Sequence, residues 1–231
     1  MSTVLASSPT AEAVNVLPRK ELSPFAQQAR EEIESAGKLL LEWGSLSTRG
    51  KGAYNAGIRI PGEDKFVLGS FGSAIVAGFD GVHYEGEINK GLKEVIGVYS
   101  AVFTERPDIN AVLHTHSPYL TAHAIAHKPF RIDYWSLAKK AGTDTIPVSD
   151  WAPRYSPEPV VKSLRENPAA PAVLLRNRGL FAWGSQGLTA LAKLLNSLEE
   201  GAEIAVYAQL LGGGKALPEG ALATFLASKK G

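Results

Sequence analysis

The sequence predicts an α/β domain of the α+β kind, with a central mixed, mostly antiparallel sheet covered by helices on both sides. Three observations carry that expectation. Segments with apolar residues at three- and four-residue intervals alternate with short runs rich in β-branched and aromatic residues. Four such runs follow one another between residues 55 and 84, separated only by Pro-Gly, Gly-Ser and Asp-Gly turn signals, which is the spacing of a meander. Finally, 231 residues with 45% hydrophobic content suffice for one sizeable core, and no linker or low-complexity block divides them.

Residues 1–20, rich in Ala, Ser, Val and Thr, are expected to form a flexible arm before a domain over 21–213 and a tail over 214–231. Ser23-Pro24 opens a helix with Phe25, Ala29, Ile33, Ala36, Leu40 and Trp43 on one face, and Gly44 closes it. The turn from Gly50 to Gly57 offers free backbone amides to an oxyanion but lacks the spacing of a Walker or dinucleotide loop. The meander strands are Asn55 to Ile60, Lys65 to Gly69, Ala74 to Phe79 and Gly81 to Tyr84. A helix from Lys93 to Thr104 buries Val95, Val98, Tyr99 and Val102, and Arg106-Pro-Asp turns it into an apolar strand. The helix from Pro118 to Ala126 carries His123, which lies four residues before His127; without the glutamate of a metalloprotease motif, the pair reads as one packed and one exposed ring. Arg131 to Trp135 and Thr145 to Val148 look like strand pieces, Ser156-Pro157 starts a helix, and Pro171 to Arg176 and Gly179 to Gly184 are strands. A long helix from Gly187 to Leu211 ends at Gly212-Gly-Gly. The remaining piece, from Leu217, forms a short helix or a tail whose Leu222, Phe225 and Leu226 want a partner.

Lysine plus arginine number 24 against 23 acidic residues, a formal charge of +1, so neither nucleic acid nor a membrane surface is the expected partner. Small molecules are. The absence of cysteine removes disulfides and thiolate metal sites and fits a reducing compartment, the cytoplasm. No run of about 18 apolar residues suggests a membrane span.

The chemistry concentrates where the apolar strand ends, at Asn110-Ala-Val-Leu-His114-Thr-His116-Ser-Pro-Tyr119. On an extended segment residues i and i+2 share a face, so His114 and His116 can offer nitrogens to one ion about 2.0–2.1 Å away. Ser117 and Pro118 suit the N-cap and first position of a helix, which places the pair at a strand-to-helix corner on the rim of a cleft.

The Arg106 to Tyr119 stretch, Ile132-Asp-Tyr134, Ile146-Pro147, Leu174-Leu-Arg-Asn-Arg178-Gly-Leu and the Leu198-Glu-Glu-Gly-Ala helix together resemble the class II aldolase/adducin family, over about Ser23 to Gly213. The resemblance implies a divalent metal, usually zinc, held by a His-x-His pair, a third histidine before a glycine, and often a glutamate. His114 and His116 match the pair, but the third position is Arg178, whose guanidinium stays protonated and cannot coordinate. The family's glutamate, a general base in the aldolases, aligns with Val95, one residue from Glu94; Glu85 and Glu87 are further candidates. Gly91-Leu-Lys93 replaces the phosphate-binding serines, and Asn55 matches the asparagine of a phosphate loop whose preceding glycine is Tyr54 here. Tyr134 matches the tyrosine that donates a proton from a neighbouring subunit, and the family implies a cyclic homotetramer with sites between subunits.

The enzyme reading is a metal-dependent lyase of the aldolase or decarboxylase type, acting on a small carbonyl or carboxylate substrate through an enolate-like intermediate. In it His114 and His116 hold zinc, or iron or manganese, Glu94 and Tyr134 are catalytic, and Arg178, Arg176 and Asn55 bind substrate. Two variants stand beside it: a non-haem iron oxygenase on the same fold, since two histidines and a carboxylate describe a facial triad, and a degenerate assembly module that binds no metal because of Arg178.

Overall fold

The first helix, α1 (Pro24–Glu42), begins where Pro24 presets the backbone at its first position and ends as Gly44 takes a positive φ of 76°. Its alanine, isoleucine and leucine stripe is buried against the meander formed by β1 (Tyr54–Arg59), β2 (Lys65–Ser70), β3 (Ser73–Gly78) and β4 (His83–Glu85). The computed structural model describes residues 18–47 and 53–229, so most of the expected arm and the Gly50 to Gly52 part of the glycine turn lie outside it. After the meander come α2 (Lys90–Glu105), β5 (Ala111–Thr115), α3 (Pro118–Ile125), β6 (Phe130–Arg131), α4 (Trp135–Ala141), β7 (Thr145–Ile146) and α5 (Glu158–Glu166). The chain closes with β8 (Ala172–Leu174), β9 (Leu180–Gly184), α6 (Leu188–Leu210) and α7 (Ala221–Ser228).

Among the described residues seven strands form one sheet in the order β4-β3-β2-β1-β5-β9-β8, and every neighbouring pair is antiparallel. Parallel contact among the described residues is confined to the isolated bridges Arg19 to Glu85 and Val148 to Leu174. Alternation sorts the side chains into two layers: Ala111 and Leu113 of β5 join the core under α1, α3, α4 and α6, whereas Val112 faces α2 and α5 with Phe66, Tyr99, Phe103 and Phe181. The sheet covered on both faces by helices is therefore as expected. No helix among the described residues is long and apolar enough to cross a membrane.

Two expectations are corrected. The strand from Arg131 to Trp135 stops at Arg131, which pairs with Thr145 of β7; Arg131 then grips Asp133 through two hydrogen bonds of 2.7 and 2.8 Å, and Tyr134 caps α4 in an extended conformation. Local ion pairing and a helix start thus end the strand within two residues. The tail, in turn, finds partners in its own chain. Phe225 meets Trp135 edge-on at 5.8 Å, and Leu217 and Leu222 pack on the larger core.

Candidate active site

His114 sits on the last turn of pleat in β5, near the middle of the sheet, opposite Asn55 of β1 and Phe181 of β9. Because Val112 points toward α2 and α5, His114 and His116 point the same way, into a cavity of about 220 Å³. Val98 of α2, Val160 of α5 and Phe181 supply its apolar wall; the loop from Ser149 to Ser156 and the β8–β9 turn supply its polar one.

His114 is only 3% exposed, packs against the Phe181 ring at 4.8 Å with a tilt of 31°, and its Nδ1 donates to the Leu180 carbonyl at 2.8 Å. That bond assigns the proton to Nδ1 and leaves the Nε2 lone pair free. Burial first, then the neighbouring His116, push its pKa down to about 3, so the ring is neutral at physiological pH. His116 is exposed, and its pKa is lowered by partial desolvation and then by the cations Arg154 and Arg178. The two rings stand 5.2 Å apart between centroids and at 89° to one another.

The β8–β9 turn brings the cations. Arg178 N–H donates to the Leu175 carbonyl at 2.8 Å and Asn177 takes a φ of 60°, a tight turn whose third residue is left-handed, a conformation asparagine tolerates. The turn is pinned from outside: Asn177 N–H donates to the Ala124 carbonyl at 3.2 Å, and its Oδ1 lies 2.8 Å from His127 Nε2. Arg176 and Arg178, on either side of Asn177, both line the cavity. Arg178 Nη2 reaches the Ala152 carbonyl at 3.2 Å. Across the β5–β9 ladder Thr115 pairs with Leu180, so Gly179 lies against His116 and Arg178 is placed beside the histidine pair.

The other expected site residues scatter. Val95 is fully buried in the core, while Glu94, one helical turn before the cavity-lining Val98, lies outside the cavity and approaches Arg154 at 3.7 Å. Glu85 accepts the Ser23 N–H at 2.9 Å, and Glu87 lies by a different groove. Asn55 is beside His114, but its Oδ1 accepts from the Tyr99 hydroxyl at 2.7 Å and it does not line the cavity. Tyr134 is 54% exposed and borders a second cavity, with His123, Gly201 and Ile204, on the α4–α6 side of the sheet. Within one chain it does not meet the histidine pair. His123 and His127 do not converge either, as His127 bonds Asn177.

Three residues escaped sequence reasoning. Arg154 and Asp150 lie in the Ser149–Ser156 loop, which has no periodicity to read. Glu199, by contrast, stands within the Leu195, Leu198, Ala202 stripe of α6, and a carboxylate on a buried stripe is a legible signal.

A family model described as the class II aldolase and adducin N-terminal domain matches residues 42–206. The chain belongs to that family. Over 102 residues it is 33% identical to a 5-methylthioribulose-1-phosphate/5-deoxyribulose-1-phosphate aldolase of Rhodospirillum rubrum, covering 44% of this chain and 45% of that protein. It is 31% identical over 106 residues to an L-fuculose phosphate aldolase of Escherichia coli, covering 45% and 46% respectively. The alignments thus span less than half the length of these curated relatives. Among solved structures, an L-fuculose 1-phosphate aldolase shares the fold with a TM-score of 0.75 at 22% identity, over 91% of this chain and 98% of that one.

Family membership raises the question of a metal, and the donor set answers it. His114 and His116 supply two imidazoles to the cavity, in edge-to-face contact with centroids 5.2 Å apart. No third His, Cys, Asp or Glu completes a cluster with them among the described residues, and Arg154 and Arg178 line the same cavity. Three protein ligands are usual at catalytic zinc, and guanidinium groups repel a dication. The residues therefore do not fit the family's three-ligand site. Arg178→His is expected to restore it, raising zinc affinity at least about tenfold, roughly 1.4 kcal/mol, by isothermal titration. Unchanged affinity would place residue 178 away from the ligand position.

Proposed function

We propose that the chain is a carbon–carbon lyase of the aldolase type, acting in the His114–His116 cavity on a small carbonyl compound that carries an anionic group. The observation that carries this reading is the juxtaposition, in one cavity of about 220 Å³ on an aldolase fold, of a neutral imidazole pair and the Arg178 guanidinium. A volume below the range of drug-sized pockets suits a substrate of few carbons.

In the cleavage direction His116, neutral and open to the cavity, takes the proton of a hydroxyl one carbon beyond the carbonyl's α-carbon. As that hydroxyl becomes a carbonyl, the carbon–carbon bond breaks and its electron pair forms an enolate on the remaining fragment. Arg178, permanently charged and partly desolvated, faces the enolate oxygen and offsets its charge. A proton then returns to the α-carbon. Tyr134 is its donor in this reading, reaching the cavity of a neighbouring subunit in a cyclic homotetramer, and Glu94 holds Arg154 at the rim through their 3.7 Å ion pair. A β-keto acid would follow the same course with carbon dioxide as the leaving fragment.

The reading is tested by α-proton exchange in heavy water, followed by proton NMR with small 2-keto acids and hydroxyketone phosphates. Exchange catalysed by the native chain should fall at least about a hundredfold in His116→Ala and Arg178→Gln. No exchange with either class would reject the lyase and leave an assembly module in its place.

A further inference from the structure

Arg176 holds a buried Nε that has no hydrogen-bond partner among the described residues, although the residue lines the histidine cavity. A buried guanidinium nitrogen without an acceptor costs free energy unless something supplies one. The charges around it are also unbalanced. Among the described residues, the charged side chains other than histidine that line the cavity are Arg154, Arg176 and Arg178, with Asp150 as the carboxylate. Asp150 is already paired with Lys162 at 2.6 Å, and Arg154 approaches Glu94 at 3.7 Å and stacks over the Tyr155 ring at 4.5 Å. Neither Arg176 nor Arg178 forms an ion pair with a carboxylate among the described residues.

We infer that the substrate is a small dianion, held by Arg176 and Arg178 on the wall formed by the β8–β9 turn and the Ser149–Ser156 loop. Asp150 lies close enough to Arg176 to feel its charge but is bonded to Lys162, so two guanidinium groups without an ion pair among the described residues call for a ligand of more than one negative charge, and a cavity of about 220 Å³ suits a small one. Forked donors on a rigid turn match the paired oxygens of a phosphate monoester or a carboxylate. The Ala124 and His127 contacts that pin Asn177 fix the turn from which the two arginines extend, which lowers the ordering cost of binding. The inference rests on the proposed lyase reading for the word substrate; the anion site itself stands on the arginines alone.

Binding is therefore measured without turnover, by isothermal titration of the full chain with inorganic phosphate, malonate and acetate at low salt. Phosphate or malonate is expected to bind at least about tenfold more tightly than acetate, a difference of roughly 1.4 kcal/mol. Preference for phosphate assigns a phosphorylated substrate and preference for malonate a dicarboxylate. Arg176→Gln and, independently, Arg178→Gln should each weaken the preferred anion at least about tenfold. Arg165→Gln, which removes an equal charge at the exposed pair with Glu105, should leave it unchanged. Circular dichroism verifies that each variant is folded, and Arg176→Lys serves if Arg176→Gln is not. Equal binding of all three anions, or equal weakening by Arg165→Gln, overturns the inference. Dianion binding without α-proton exchange would keep the site and reject the lyase; exchange without dianion preference would do the reverse.

Discussion

Gly179→Ala is expected to destabilise the chain by about 3 kcal/mol and to dislocate the histidine corner, because the new methyl group has no direction in which to be relieved. A Cβ at residue 179 would lie 1.9 Å from the Thr115 carbonyl oxygen and 2.3 Å from His116 Cδ2. The first of these atoms is backbone in the central strand β5, whose neighbours on both sides are hydrogen-bonded to it, so it cannot rotate aside. The second is the ring that lines the cavity. Overpacking usually costs about 1–3 kcal/mol, and a clash against ladder backbone belongs at the upper end of that range. For a chain of this size the melting temperature should fall by roughly 6–12 °C. Gly184→Ala, at the far end of β9, is the control: its Cβ would meet only Leu191 Cδ1, at an ordinary 3.7 Å. Urea unfolding of both variants, with the anion titration repeated on Gly179→Ala, gives the comparison. A Gly179→Ala chain within about 1 kcal/mol of the native one would show that the corner gives way easily.

The other large effect belongs to Glu199. This carboxylate, 5% exposed, accepts the Tyr119 N–H at 2.6 Å and the Leu120 N–H at 2.9 Å, so α6 supplies from a distance the N-terminal cap of α3. The hydroxyl of Tyr119 meanwhile donates to Glu203 at 2.8 Å. Glu199→Ala is expected to cost about 2–4 kcal/mol, since two N–H groups lose their acceptor and a hole is left beneath the corner. The pH dependence adds a second signature. Burial raises the Glu199 pKa from the usual 4.5 to about 7, against the two N–H bonds, which favour the charged form; the α3 dipole acts in the same sense as those bonds. A carboxyl whose folded pKa is raised binds more protons folded than unfolded between the two values. Stability therefore falls as pH rises from about 4.5 to about 7, and the penalty is constant above that. The loss is at most roughly 3 kcal/mol. Glu199→Gln cannot titrate, so the difference in unfolding free energy between it and the native chain should change with that slope and then level off. A flat difference across this window would show that Glu199 titrates alike in both states.

Much of the molecule was legible in the order of its residues, and the reasons are local. The α1 stripe from Ala29 to Leu40 and the α6 stripe from Leu191 to Ala202 repeat with the helical period, so their existence and buried faces follow from spacing. Proline at the first turn and glycine after the last mark where such helices begin and stop, as at Pro24 and Gly44. His114 and His116 share a face because a strand alternates, and Ser117-Pro118 turns that strand into a helix; both rules act within a few residues.

What the tertiary structure alone decided involves partners far apart in the chain. The register of β5 against β9, which pairs Thr115 with Leu180, is what brings Arg178 beside His116, and register depends on the whole buried face of both strands. Arg154 comes from a loop with no period and is positioned by Glu94 and Tyr155, so nothing in its neighbourhood announced it. Glu94 sits at the rim and Tyr134 on the opposite side of the sheet, because helix phase and layer assignment are set by packing. That Arg176 and Arg178 form no ion pair among the described residues is likewise invisible in a balanced total of 24 basic and 23 acidic residues. Charge imbalance at a cavity is a property of burial and distance, and only the folded chain sets those.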